Sequence, residues 1–176
     1  MHPKSNDRRI LAIALRSRRF GFAVFEGPNR LLDWGMVFYP LNNDVQRAAA
    51  SKRVASLLTL YIPSVIVVGR TRLLNVRNGS GVRPILRSIR RESSSRLIPV
   101  HLMKRADVRK VFRLAHVKTK HEIASFVAQM FPELLWKQPP KRRIWESEHP
   151  IMAMFDAVAL GFVYWQRDRA RDPTPD

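Results

Sequence analysis

Residues 10–25, ILAIALRSRRFGFAVF, constrain the fold more than any other stretch of the chain. Ile10-Leu11-Ala12-Ile13-Ala14-Leu15 is apolar at every position. A strand with no wet face belongs at the centre of a sheet covered on both sides. The polar, basic turn Arg16-Ser17-Arg18-Arg19 follows, then Phe20-Gly21-Phe22-Ala23-Val24-Phe25, which is again strand-like. So short a connection pairs the two runs as a hairpin. Gly27-Pro28-Asn29 is a turn signal, and it sets off a third strand over Arg30–Tyr39, RLLDWGMVFY.

After a loop at Pro40–Asp44, Asn43 or Asp44 is placed to cap a helix. Val45, Ala48, Ala49, Val54, Leu57, Leu58 and Tyr61 recur at near-helical spacing and predict that helix over 45–61, with Arg47, Lys52 and Arg53 outward. Pro63 then opens a fourth strand, Ser64-Val65-Ile66-Val67-Val68, closed by Gly69. It is apolar and β-branched throughout, so a central position parallel to the first strand is expected. Residue patterning alone therefore predicts an α/β fold with a mixed sheet.

Charge sets the class of partner. The 176 residues carry a formal net charge of +18 and a pI near 11.6. That imbalance points to a polyanion, nucleic acid ahead of an anionic membrane. A proteome that uses arginine heavily is the plainer alternative. With no cysteine, disulfides and thiolate metal sites are excluded. No apolar run reaches the length of a membrane span, and Met1–Arg9 has no apolar core of a signal peptide. The expectation is a cytoplasmic or nucleoid-associated protein, with a lead-in at 1–8, one domain over 9–169 and a loose tail at 170–176.

The middle of the chain is its most basic part. Arg70–Lys120 holds fifteen Lys and Arg against Glu92 and Asp107. A loop is expected at Asn75–Gly81. Beyond it Arg83, Arg87, Arg90 and Arg91 recur along a helix that also carries Ile85, Leu86 and Ile89, one basic stripe beside one apolar stripe. Ser93-Ser94-Ser95 ends that helix, and Leu97-Ile98-Pro99-Val100 reads as the fifth strand. Lys104–Leu114 is amphipathic, with Val108, Val111 and Phe112 inward. Thr119 caps a helix running to about Phe131, and Glu122 completes a capping box, a structural role preferred to a catalytic one. Gln138-Pro139-Pro140-Lys141-Arg142-Arg143 is an extended basic linker of polyproline type, suited to lie along phosphates.

Trp145–Pro150 leads into the last helix, Ile151–Arg169, with Pro150 at its start. Asp156 is the only charged residue between Pro150 and Arg167. Among Met152, Ala153, Phe155, Ala157, Ala159 and Leu160, a carboxylate is costly unless it is paired, hydrogen-bonded or metal-bound.

These features resemble the RuvC-type nucleases of the RNase H-like superfamily. That family opens I-G-I-D-P-G-S-R-x-x-G-Y where this chain reads I-L-A-I-A-L-R-S-R-R-F-G-F. Ser17, Arg18, Gly21 and Phe22 fit, while the metal-binding Asp falls on Ala14 and the Pro-Gly on Leu15-Arg16. The family's final helix, D-A-x-D-A-L-A-L-A, aligns with Ala153-Met154-Phe155-Asp156-Ala157-Val158-Ala159-Leu160. Its second Asp falls on Asp156 and its first on Ala153. The family's Glu at the end of the fourth strand has no counterpart in Val67-Val68-Gly69-Arg70. The likeness runs from Ile10 to about Trp165. It implies an RNase H-like, mixed five-stranded sheet, three antiparallel N-terminal strands followed by parallel ones, flanked by helices.

One of four family carboxylates remains, whereas the chemistry clamps phosphate with divalent ions on several hard oxygen ligands. The resemblance then implies a nucleic-acid-binding protein, of DNA ahead of RNA, with a degenerate metal site and no cofactor. The alternative is an active Mg²⁺- or Mn²⁺-dependent endonuclease of the Holliday-junction-resolvase kind, rebuilt around Asp156 and Glu146 or Glu148. Asp156 is the sole candidate metal ligand in the first reading, and there it should pair with Arg or Lys or accept backbone and hydroxyl hydrogen bonds. RuvC-type enzymes are dimers acting on four-way junctions, which leaves a homodimer open. Candidate phosphate contacts are Arg16, Arg18, Arg19, Arg70, Arg72, Arg83, Arg87, Arg90, Lys118 and Lys120. The first five are expected together at the carboxyl ends of the first and fourth strands, where open α/β sheets gather ligands. Glu26 and Asp33 are the other candidate acids; Asp33, beside Trp34-Gly35, reads as a turn or bulge residue, Glu146 and Glu148 as solvated ahead of a ligand role, and His149 as a helix cap or exposed ahead of a ligand. No P-loop, zinc motif or serine triad is present.

Overall fold

The computed structural model describes residues 8–39, 44–70 and 82–171. Residues 40–43 of the loop expected at Pro40–Asp44, the expected loop at 75–81, Arg72, and residues 1–7 and 172–176 lie outside them, while Asp44 already belongs to the first helix. Strand β1 spans Arg9–Leu15, β2 Arg19–Glu26, β3 Arg30–Phe38, β4 Val65–Arg70 and β5 Val100–Lys104. The helices are α1 at Asp44–Tyr61, α2 at Val82–Ser95, α3 at Arg105–Leu114, α4 at Lys120–Met130 and α5 at Met152–Arg171.

These strands form one sheet in the order β3-β2-β1-β4-β5. β1 pairs antiparallel with β2 and parallel with β4; β2 and β3 are antiparallel, β4 and β5 parallel. This is the arrangement the resemblance implied. The all-apolar strands are the ones covered twice. Ile10, Ala12 and Ala14 pack with α3, α4 and α5, while Leu11, Ile13 and Leu15 pack with α1 and α2. Since side chains alternate across a strand, the unbroken apolar run of β1 feeds two separate cores. Phe112, Phe126 and Phe162 interlock in the first of them.

α5 lies directly on β2. A Cβ at Gly21 would come 1.9 Å from the carbonyl oxygen of Ala153, and one at Gly161 would come 2.1 Å from the Phe25 ring. Two glycines, one on each partner, permit this approach. At its far end α5 is held by Arg8, which donates to the Tyr164 hydroxyl at 3.1 Å and pairs with Asp168 at 3.0 Å. Arg8 therefore belongs to the folded body, and α5 continues two residues past the expected Arg169.

The fifth strand is displaced from its expected position. Leu97–Val100 was the apolar run, but Arg96 and Ile98 N–H both donate to the Ser93 carbonyl, and Leu97 N–H to Ser94. These bonds finish α2, with Leu97 in the left-handed region at φ 55. The strand starts only at Val100 and uses His101-Leu102-Met103-Lys104, so α3 begins one residue later than expected, at Arg105. β3 carries a register shift opposite Val24/Phe25. Beside it, Asp33 accepts from Trp34 N–H at 2.8 Å and from the Tyr61 hydroxyl at 3.0 Å. Asp33 thus ties β3 to α1. No described helix is long and apolar enough to cross a membrane.

Candidate functional site

The carboxyl ends of β1, β4 and β5 meet at one edge of the sheet. The parallel register sets Ile13 beside Val68, and Arg70 beside Lys104. Arg16 and Arg18 follow β1, Arg19 opens β2 and Arg70 closes β4, so all four lie at this edge. Arg18 and Arg70 are exposed, Arg16 and Arg19 half-buried. Ser17 and Arg18 form the tip of a tight hairpin, in which Arg16 N–H donates to the Arg19 carbonyl at 2.8 Å.

Tyr39 fixes this hairpin from the opposite strand. Its N–H donates to the Arg18 carbonyl at 2.8 Å, and its hydroxyl donates to the Arg16 carbonyl. Burial raises the Tyr39 hydroxyl far above its ordinary pKa, against the opposing effects of the Arg16 hydrogen bond and the Arg19 charge. The hydroxyl therefore stays protonated and keeps donating.

The side chain of Arg16 turns toward α5. It continues the alternation of Ile10, Ala12 and Ala14, the residues of β1 that face that helix. There it donates to the Asp156 carboxylate and lies 4.0 Å from Glu148 Oε1. Glu148 in turn accepts from the Lys120 ammonium at the start of α4. The result is a chain of alternating charge, Asp156–Arg16–Glu148–Lys120, joining the first hairpin, α4, α5 and the segment before α5. Burial tends to raise the Glu148 carboxyl, but the Lys120 hydrogen bond and the charges of Lys120, Arg16 and Arg142 outweigh it and hold it below the ordinary glutamate value. Burial lowers the Lys120 pKa despite its bond to Glu148, with Arg16 and Arg105 adding to the shift.

The positions where the resemblance expects the other carboxylates hold Ala14, Gly69 and Ala153. Ala14 is buried in the core on the α5 side, and Ala153, in the first turn of α5, is buried as well. Gly69 follows Val65 and Val67 in their alternation, and a Cβ there would lie 2.9 Å from Leu160 Cδ1. Among the described residues no group of three or more His, Asp or Glu side chains converges as a metal-holding set.

The fold is RuvC-like. The structure matches Thermus thermophilus RuvC in complex with Holliday junction substrate at a TM-score of 0.69 and 17% identity, over 93% of this chain and 95% of that one. A second Thermus thermophilus RuvC structure matches at 0.68 and 18%, over 94% and 97%. The yeast mitochondrial Holliday junction resolvase Ydc2 matches at 0.51 and 16%, over 97% and 85%. No family model and no curated protein matches the sequence. At these identities the likeness establishes the fold.

On that RuvC-like frame the remaining candidates separate. Glu146 does not join the Asp156 chain: its carboxylate accepts from Arg143 N–H at 2.9 Å. His149 Nδ1 accepts from Ile151 N–H at 3.3 Å, ahead of α5. Thr119 and Glu122 form the expected capping box, with Lys118 N–H also donating to Glu122. The Lys118 side chain is exposed beside it, whereas Lys120 is committed to Glu148. Arg83, Arg87 and Arg90 line the exposed face of α2, whose Val82, Ile85, Leu86 and Ile89 are buried against α1. Because α2 returns from the end of β4 to the start of β5, Arg83 is the nearest of the three to the site edge.

Sequence reasoning missed the Arg16–Glu148 proximity and the part played by Leu160. The first had a faint signal, since Arg16 shares the parity of Ala12 and Ala14. Leu160 had none, because its contact with Gly69 depends on the seating of α5.

Proposed function

We propose that this chain binds nucleic acid on a RuvC-like nuclease frame whose metal site has become an ion-pair centre. The carrying observation is the Arg16 guanidinium on Asp156. A two-ion site needs several hard oxygen ligands converging on one point. The carboxylates grouped here are Asp156 and Glu148, each already matched by Arg16 or Lys120. Ala14, Gly69 and Ala153 supply no oxygen from their side chains. This donor set does not fit a pair of divalent ions, and no step is derived through them.

Phosphate binding would fall to the exposed cations of the same edge, Arg18 and Arg70, with Arg83, Arg87 and Arg90 along α2 and Lys118 at α4. Arg16 and Lys120 act inside the protein, holding α4 and α5 to the hairpin. The net charge of +18 supports a polyanionic partner. The likeness to resolvases, one of them in complex with Holliday junction substrate, supports DNA over RNA in this reading, and a homodimer is proposed with it on the family resemblance alone. Sedimentation of the free protein checks the latter.

A second reading has one observation in its favour. Glu148 and Asp156 share a guanidinium, so removal of Arg16 would leave two carboxylates facing one space. In that reading the chain is an endonuclease using Mg²⁺ or Mn²⁺.

Purified protein incubated with four-way junctions, duplex and RNA, in magnesium or manganese, separates the two. Binding without cleavage is expected. Metal-dependent cleavage that vanishes in Asp156→Asn would overturn the first reading in favour of the second.

A further inference from the structure

The segment between the 3₁₀ turn at Pro132–Lys137 and α5 is pinned at both ends and projects between them. Gln138 donates from Nε2 to Ser125 Oγ at 2.6 Å, and Pro139 is buried. Ten residues on, Glu148 is held by Lys120. From 140 to 147 every residue is exposed. Within this exposed stretch Arg143–Glu146 forms a turn closed twice, by Glu146 N–H on the Arg143 carbonyl at 3.2 Å and by Arg143 N–H on the Glu146 carboxylate at 2.9 Å.

The central residues of that turn are Ile144 and Trp145, 94% and 77% exposed. Turn centres ordinarily take Gly, Pro, Asn, Asp or Ser for conformational reasons. An isoleucine and a tryptophan held outward contribute nothing to either core, and such a patch marks a binding surface. Its surroundings define the partner. Lys141, Arg142 and Arg143 lead directly into the tip, and the Arg143 guanidinium lies 5.7 Å from the Trp145 ring centroid. The Arg142 charge reaches Glu148, so this stretch adjoins the Arg16 centre.

We propose that the Ile144-Trp145 tip is a stacking wedge for unpaired bases of a nucleic acid whose backbone the neighbouring cations hold. An aromatic face accepts any base, and cations beside it track the phosphates. Inside a paired duplex the bases are already stacked on one another, so the wedge acts where pairing is interrupted. This inference rests on the nucleic-acid-binding reading above and adds a preferred substrate class to it.

The test measures full-length wild type, Trp145→Ala and Trp145→Phe against two DNA probes of equal length at low salt. One is fully paired; the other carries a run of unpaired bases. Trp145 is exposed, so the variants should keep the wild-type circular dichroism. Trp145→Ala should weaken binding to the interrupted probe about tenfold, the order of one lost stacking contact. Its binding to the paired probe should stay within about twofold, since stacking on unpaired bases is the interaction removed. Trp145→Phe should retain most of the affinity. Equal loss on both probes, or none on either, overturns the wedge while leaving nucleic-acid binding intact. Failure of wild type to bind either probe overturns the underlying reading itself. Self-association abolished by Trp145→Ala, with affinity for the interrupted probe unchanged, would assign the tip to a second copy of the chain and overturn the wedge.

Discussion

Arg16 and Asp156, 140 residues apart in sequence, are joined by a hydrogen-bonded ion pair between the first hairpin and the last helix. The pair places a cation from the protein itself directly on the Asp156 carboxylate. It also gives Asp156 the partner that an acid in so apolar a helix requires.

Breaking that pair from either side should therefore be felt in stability. Asp156→Ala is expected to cost about 1–2 kcal/mol, near the lower end for hydrogen bonds to charged groups because both side chains are partly exposed. Arg16 keeps Glu148 nearby, which softens the loss. Urea unfolding of both single variants and the double would measure it. Purely additive losses in the Arg16→Met, Asp156→Ala cycle would mean that the pair contributes no coupling.

Gly21→Ala should act on the same pair from a distance. The added methyl would meet backbone of α5 at Ala153, not a side chain able to rotate aside. Relief requires α5 to shift away from β2, at about 2–3 kcal/mol or more by analogy with overpacked cores. The shift also moves Asp156 relative to Arg16. Thermal unfolding should show a lower midpoint, and a wild-type midpoint would rule out the close approach.

The pH profile follows from Glu148 and Lys120. Glu148 has a folded pKa below its ordinary 4.5, so the unfolded chain binds that proton more tightly. Its stabilisation is complete above 4.5 and is lost as pH falls through the depressed folded value. Lys120 is lowered from 10.5 by burial. Its charged form thus costs stability at neutral pH, and that cost fades as pH rises past the lowered value toward 10.5. The two opposing contributions should leave the pair near break-even at pH 7. Lys120→Met with Glu148→Leu should stay within about 1 kcal/mol of wild type, whereas each single change costs more. Glu148→Gln should also flatten the loss of stability in acid, as denaturation across pH 3 to 7 would show.

If the proposed function holds, binding to DNA should fall steeply with salt. If the exposed arginines make about six phosphate contacts, affinity should drop roughly a thousandfold between about 50 and 200 mM salt. Replacing Arg83 and Arg87 together by Gln should lower the slope of log affinity against log salt by about 2. Fluorescence anisotropy measures both, and an unchanged slope would take α2 out of the interface.

Much of the frame was readable from local pattern. The unbroken apolar runs of β1 and β4 marked central strands, the Thr119–Glu122 spacing announced its capping box, and the isolated Asp156 demanded a partner. β5 was misplaced because Leu97-Ile98 is apolar yet closes α2, where backbone bonding outweighs side-chain character. Asp33 looked like a bulge residue, and its bond to Tyr61 on α1 was not visible locally.

The sequence by itself determined the sheet's centre, the basic character of the chain and the absence of carboxylates at positions 14 and 153, because these depend on residue type and short-range periodicity. Only the tertiary structure decided which cation meets Asp156, that Glu148 joins it, and that Leu160 covers Gly69. Those contacts are made by residues far apart in the chain, and they exist because Gly21 and Gly161 let α5 settle onto β2. No local pattern encodes the depth of that approach; it emerges from the packing of two backbones against each other.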